Sequence, residues 1–353
     1  MRFALSDDQL ELCSAVRRLL EDTCTPDAVR AAWADAALAG GGPGGGDGTV
    51  PAAWGALAEM GVFGVCVPEA HGGLGMTDED LVPLLLEVGR AALPEPVSST
   101  AGVAANLLAR WAPPALADKW LPRVAAGEVR VGVGFPPEGG GAPTVAQAAA
   151  CDALLLFDRG EVHLVEPTAV ELEPLRAVDG SQHLARVRWA PTPETLVAGG
   201  EQGAAATGEA FDRAALGAAA MLVGLSRRML DMAAQYATER QQFGVPIGSF
   251  QAVKHQLADA SLAVEFAEPL VLRAANSVAH RDPSASVHVS MAKAKAADAA
   301  NGAARTSLQV HGAIGYTVEY DLHLYMKRAW SLAARFGDAA FHRRRVRAAV
   351  LEV

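Results

Sequence analysis

Apolar residues in the first third of the chain recur at helical spacing. Ser6 reads as an N-cap followed by the first-turn acids Asp7 and Asp8, and Leu10, Val16, Leu19 and Leu20 form a stripe behind them. Pro51 opens a short helix, and Thr77 caps another whose first turn carries Glu79 and Asp80 and whose apolar face carries Leu81, Leu84, Leu85 and Val88. Between them, the glycine-rich stretch at 38–49 predicts a mobile loop, because glycine loses too much freedom on ordering to favour a regular element. From 128 the period shortens. The β-prone runs 129–133, 153–157, 161–165 and 185–189 are divided by turns rich in Gly, Pro and Asp, as in a small β-domain. Helical spacing then returns, with segments expected near 206–239, 249–280, 284–311, 320–333 and 338–350. Gly244 and Pro246 separate the first pair, and Asp282-Pro283-Ser284 ends one helix and starts the next. The pattern predicts an α+β, mostly α fold: an N-terminal helical domain (1–127), a short β-domain (128–203) and a C-terminal helical bundle (204–353).

Composition narrows the class. The 353 residues, 51% of them hydrophobic, suffice for a large core. Cys13, Cys24, Cys66 and Cys151 form no CxxC pair, so neither a zinc site nor a disulfide framework is expected, and the thiols fit a reduced cytoplasm. The first residues lack the basic start and apolar run of a signal peptide, and no window approaches the roughly 18–20 apolar residues of a membrane span. A cytoplasmic protein without membrane association is expected. The formal net charge of −10 argues against a broad nucleic-acid footprint. The local basic cluster His342-Arg343-Arg344-Arg345 with Arg347 has two readings: complementing a terminal helix dipole or facing water, or contacting an anionic partner.

Two constellations carry chemistry. Arg240-Gln241-Gln242-Phe243-Gly244 ends a long helix. A guanidinium there offers a planar set of donors suited to a diphosphate, Phe243 offers a face for an adenine or ribose, and Gly244 permits the reversal towards Pro246. A charged helix end with a capping glycine is the plainer alternative. Further on, Gln309-Val310-His311-Gly312-Ala313-Ile314-Gly315-Tyr316 leaves a helix through two glycines, which let the backbone approach a ligand and present amides to phosphate oxygens. Phe250-Gln251 and Leu257-Ala258-Asp259 lie between the two.

This ordered set resembles the acyl-CoA dehydrogenase family, whose signatures are an Arg-x-x-Phe-Gly turn, a Phe-Gln-x5-Leu-Ala-Asp/Glu helix and a Gln-x-x-Gly-Gly-x-Gly-Tyr turn. Pro68-Glu69-Ala70-His71-Gly72-Gly73-Leu74-Gly75 is similar to the family's Pro-Glu-x-x-Gly-Gly-x-Gly loop, so the resemblance covers most of the chain. It implies the family's fold, with a middle β-domain that is here reduced, and FAD as cofactor. It also implies that Arg240, Gln242, Phe243 and Gln309 bind the FAD of a neighbouring subunit, with backbone contacts at Gly312 and Ala313. Ala313 departs from the usual second glycine.

Other departures are selective. The family abstracts an α-proton from an acyl-CoA thioester with a carboxylate while hydride passes to flavin. At the two positions from which that carboxylate comes, this chain has Phe336 and Ala214. Asp338 and Asp212 lie two residues away and are the remaining candidate bases; on a helix Asp212 should face away from what position 214 faces, and Asp338 reads as an N-cap. The β-domain carries Gly134-Phe135-Pro136-Pro137-Glu138-Gly139-Gly140-Gly141 where the family has hydroxyl-bearing residues that hold the flavin ring. The resemblance is therefore strongest to the short, non-catalytic subunit of the heterotetrameric acyl-CoA dehydrogenases of actinobacterial steroid side-chain degradation. It implies a longer acyl-CoA dehydrogenase partner in an α2β2 assembly that desaturates an acyl-CoA thioester. A self-sufficient FAD-dependent dehydrogenase or oxidase of a CoA- or carrier-bound metabolite, and a flavin-free scaffold, remain as alternatives.

Overall fold

A computed structural model describes residues 4–35 and 45–351. Residues 38–44 of the glycine-rich run expected to form a mobile loop at 38–49 lie outside the described residues.

The N-terminal part holds helices α1 (Asp7–Thr23), α2 (Pro26–Ala31), α3 (Pro51–Glu59), α4 (Asp78–Arg90), α5 (Ala105–Trp111) and α6 (Pro114–Ala125). Ser6 and Gln9 form a reciprocal capping box at the start of α1, and Thr77 and Asp80 form another at α4. Leu10, expected on the buried stripe of α1, is instead 49% exposed. The buried face runs through Cys13, Val16 and Leu20 and is led by Gln9, whose Nε2 donates to Asp80 Oδ1 at 2.9 Å; Leu10 is turned about 100° from it.

The middle part forms two sheets from β1 (Val131–Gly134), β2 (Thr144–Val145), β3 (Ala153–Asp158), β4 (Glu161–Val165), β5 (Glu171–Pro174), β6 (Ala185–Arg188) and β7 (Leu196–Ala198). One sheet has the order β1-β3-β4-β7, with β1 parallel to β3, and the other has the order β2-β6-β5. Alternation along β3 sends Leu154 and Leu156 to the core between the sheets with Val145 and Val187, while Leu155 and Phe157 join the core shared with the helices.

The C-terminal part is a bundle of α7 (Gly200–Glu239), α8 (Gln251–Glu265), α9 (Glu268–Ala279), α10 (Ala285–His311), α11 (Leu322–Ala334) and α12 (Ala339–Leu351). The helix expected at 249–280 is two helices, because Pro269 in the first turn of α9 cannot donate back to the preceding turn and so starts a new helix. The helix expected from 206 begins at Gly200.

α7 is the central helix, packed on both α4 and α10. Glycines set its crossing with α4: a Cβ on Gly224 would lie 1.8 Å from the Leu86 carbonyl oxygen, and one on Gly89 would lie 2.2 Å from that of Met221. The three parts meet at Asp179–Gln182. Buried Arg328 of α11 pairs with Asp179, donates to Ser181 Oγ at 2.7 Å and reaches the Leu93 carbonyl at 3.1 Å. Ser331 Oγ adds a bond to Gln182 Oε1 at 2.9 Å.

Candidate cofactor site and the cavity opposite it

Arg240 closes α7, its N–H donating to the Tyr236 carbonyl at 2.8 Å while its own φ and ψ become extended. The chain then reverses through a hairpin of β8 (Gln241–Gln242) and β9 (Val245–Pro246). Both turn residues are left-handed, Phe243 with φ 53° and Gly244 with φ 82°, the geometry whose twist matches a tight hairpin. Gly244 adopts it freely, whereas for Phe243 it costs on the order of 1–2 kcal/mol. Phe243 is also 93% exposed, touched on its edge by Phe250 at a centroid distance of 6.2 Å. Arg240, Gln242 and Gln309 are exposed as well, and among the described residues their side chains take no hydrogen-bond or ion-pair partner.

The second element ends α10. Gly312, at φ 63° and ψ −137°, breaks the helix into a short 3-10 turn (Gly312–Tyr316) that leaves Ala313, Ile314 and Tyr316 exposed. A Cβ on Gly312 would meet nothing within 4 Å, so the Cα of this residue faces open space, while its amide donates to the Leu308 carbonyl.

The two elements are locked side by side through residues that sequence reasoning left without a role. His311 stacks on Tyr236 at 4.6 Å, and its ring nitrogens reach the Ser307 carbonyl at 2.7 Å and Tyr320 Oη at 3.1 Å. Burial lowers the His311 pKa, so the neutral ring donates from Nδ1 to Ser307 and accepts at Nε2 from Tyr320. Because Tyr236 lies one turn before Arg240 and His311 follows Gln309 closely, this stack brings both motifs to one end of the bundle. The histidine at the centre of the second motif was the available signal; its two tyrosine partners carried none.

The candidate bases are committed elsewhere. Asp338 Oδ1 accepts the Phe341 amide at 2.7 Å and caps α12. Asp212 Oδ1 accepts from Arg345 Nη2 at 3.0 Å. Ala214 is buried.

Phe336 stands on the wall of a cavity of about 480 Å³ between the β-sheets and the corner joining α11 to α12. Phe135 stacks on Phe157 at 4.3 Å and meets Phe211 and Phe336 edge-on at 5.4 and 6.0 Å, filling one wall with aromatic rings. The corner itself is left-handed, with φ 55° at Phe336 and 88° at Gly337. Two buried bases hold it. His342 Nε2 donates to the Phe336 carbonyl at 2.9 Å, and Lys293 Nζ donates to the Gly337 and Ala333 carbonyls at 3.0 Å each. Burial pushes His342 down to about 4 and Lys293 down to about 7.

Among the described residues no helix is long and apolar enough to cross a membrane, and no group of His, Cys, Asp and Glu could hold a metal ion.

Comparison with known proteins gives a consistent result. Residues 201–351 match the family model described as acyl-CoA dehydrogenase, C-terminal domain, and residues 6–128 match acyl-CoA dehydrogenase, N-terminal domain. The chain is similar to acyl-CoA dehydrogenase FadE34 of Mycobacterium tuberculosis, 37% identical over 298 residues covering 83% of this chain but 41% of that relative, so it spans less than half of FadE34. It is also similar to acyl-CoA dehydrogenase IpdE2 of Mycolicibacterium smegmatis, 33% identical over 349 residues that cover 98% of this chain and 100% of the relative. Among solved structures, the ChsE4-ChsE5 complex from Mycobacterium tuberculosis superposes with a TM-score of 0.86 at 24% identity over 100% of both chains, a likeness of fold.

Proposed function

We propose that this chain, which belongs to the acyl-CoA dehydrogenase family, is the subunit of an FAD-dependent acyl-CoA dehydrogenase that completes the cofactor site of a longer partner of the same family in an α2β2 assembly. The family consists of oxidoreductases acting on CH–CH bonds with FAD as cofactor. The reaction proposed is α,β-desaturation of an acyl-CoA thioester, and the substrate class proposed is a bulky, steroid-type acyl group.

One contrast carries the reading: donors and an aromatic face stand free at Arg240, Gln242, Phe243 and Gln309, while the base positions hold Phe336 and Ala214. A bulky ring on strained backbone, almost entirely in water, gains about 1.5–3 kcal/mol when something covers it. An unpaired guanidinium beside it gains from a diphosphate. Both requirements are met by the adenine-diphosphate end of a dinucleotide brought from another subunit. The residues fit FAD in that role: Arg240 would bind the diphosphate, Phe243 would cover the adenosine, Gln242 and Gln309 would supply amide contacts, and the exposed backbone around Gly312 and Ala313 would approach it closely. When bound, FAD supplies the hydride acceptor. The residues around Phe336 fit a flavin ring poorly, since Phe135, Phe211, Phe336 and Phe341 occupy the wall and a single hydroxyl, that of Thr144, stands beside the cationic Arg335 and Arg344. Proton abstraction then falls to the partner, because Asp338 is engaged in capping α12 and Asp212 is paired with Arg345.

The test is to purify the chain alone and together with a longer acyl-CoA dehydrogenase encoded beside it. The reading expects a colourless, inactive chain alone and a yellow, active complex. A yellow, dehydrogenase-active product from the chain alone would reject it.

A further inference from the structure

The cavity bearing Phe336 is well defined even though the base is missing, and its chemistry differs from that of the shared cofactor site. Its volume of about 480 Å³ lies within the range of small-molecule sites, roughly 300–1,000 Å³. Its apolar surface comes from Phe135, Phe211, Phe336 and Phe341, and its polar surface centres on two arginines, Arg335 and Arg344.

Arg335 is the telling group. It lies half-buried on the cavity wall with its guanidinium carbon 4.8 Å from the centroid of the Phe336 ring. Among the described residues it has no side-chain hydrogen bond and no ion pair. Burial and the like charge of Arg328 both lower its pKa, so an anion placed beside it would be held strongly. The acids on the same wall do not meet that need: Asp338 caps α12, and Glu138 forms only a 3.8 Å pair with Arg344 between largely exposed side chains. The wall is also rigid. The Phe336–Gly337 corner is fixed by hydrogen bonds from His342 and Lys293, so the aromatic face and the neighbouring cation keep their spacing without a ligand.

We propose that this cavity is a binding site for an organic anion with a flat apolar ring system, whose ring packs on Phe135, Phe336 and Phe341 and whose acid group pairs with Arg335, assisted by Arg344. The inference rests on the reading that this cavity does not hold a flavin ring. It is separate from the adenine-diphosphate surface at Arg240, which lies at the end of α7 and α10.

Calorimetric titration of the full chain with 2-naphthoate, 2-naphthyl phosphate, naphthalene-2-methanol and riboflavin tests it. The expected result is one site per chain for the two anions, at least about tenfold tighter than for the neutral alcohol, with the difference shrinking as salt is raised. The stronger of the two anions identifies the acid group as carboxylate or phosphate. Arg335→Gln should weaken anion binding at least about tenfold and leave the alcohol unchanged. If Arg335→Gln fails to fold, Arg344→Gln should still weaken the anions by a smaller factor. Equal binding of anion and alcohol, no effect of either arginine substitution, no binding of any anion, or riboflavin binding tighter than naphthoate would each overturn the proposal. Arg240→Ala should leave naphthoate binding unchanged, so failure here and failure of the shared-cofactor reading are told apart.

Discussion

Replacing Lys293 by Met should flatten the rise in stability with pH expected of the wild-type chain above neutrality. Lys293 is 0% exposed, and its ammonium is held by two carbonyls, with Asp338 the acid whose charge favours it. Burial outweighs these and sets its pKa at about 7 against the ordinary 10.5. Below pH 7 both folded and unfolded chains carry the proton, and the full penalty of burying the charge is present. Between pH 7 and about 10 the unfolded chain binds one more proton than the folded chain, so stability rises by up to about 1.4 kcal/mol per pH unit. Integrated from pH 7, where the folded group is half-titrated, to 8.5, the gain is about 1.6 kcal/mol. The buried thiols act in the opposite direction: burial pushes Cys13 up to about 11 and Cys24 and Cys151 up to about 12, so their unfolded forms lose protons first as pH rises. Those thiols are common to both proteins. Urea unfolding of wild type and Lys293→Met at steps from pH 7 to 8.5 therefore isolates the lysine in the difference between the curves. That difference should grow in favour of wild type by about 1.6 kcal/mol across the range. Parallel curves would refute the claim that a buried, proton-releasing lysine holds the Phe336–Gly337 corner.

Other parts of the molecule give equally direct tests. Arg240→Ala, at an exposed position, should leave the circular dichroism and thermal midpoint of the chain unchanged while weakening FAD retention by the complex about 10- to 100-fold, the equivalent of one or two charge-assisted bonds; unchanged retention would remove Arg240 from the site. Gly224→Ala should destabilise the fold by about 1–3 kcal/mol in urea unfolding, because its methyl would lie 1.8 Å from the Leu86 carbonyl oxygen. Asp78, 4% exposed, pairs with Arg213 Nη2 at 3.2 Å. Asp78→Leu should cost about 3 kcal/mol by removing the nearer partner of that cation and leaving it only Glu209 at 3.7 Å, and combining it with Arg213→Met should recover part of the loss in a double-mutant cycle.

Much of the architecture was legible because its local signals agree with its packing. Ser6 and Thr77 cap where their positions before apolar stripes place them, and the strands at Ala153–Asp158 and Glu161–Val165 follow their aliphatic runs. The strand Glu171–Pro174 was not legible: it pairs on one side only, its residues are half polar, and a proline ends it. The break before Pro269 was masked by helical spacing that continues through Val271 and Ala274. At the site, Arg240, Phe243 and Gln309 could be named from their motifs, but the left-handed, water-facing ring of Phe243 could not, since it depends on the hairpin that follows. Lys293 was invisible for a physical reason: its partners are backbone carbonyls, which leave no trace in side-chain spacing. For the same reason His342, which the sequence groups with the basic cluster 342–347, is seen only in the fold to be buried against the Phe336 carbonyl. Arg335 is adjacent to Phe336 in sequence, but its lack of a hydrogen-bond or ion-pair partner among the described residues emerges only when the surrounding acids are located.

The central claim is that this chain lends half of a cofactor site and holds no complete one. Flavin released from the purified complex, counted against chains of both kinds, measures this most directly. The account predicts half a flavin per chain, falling towards none when Arg240→Ala is introduced and the complex is dialysed. One flavin per chain, retained through the same substitution, would contradict it.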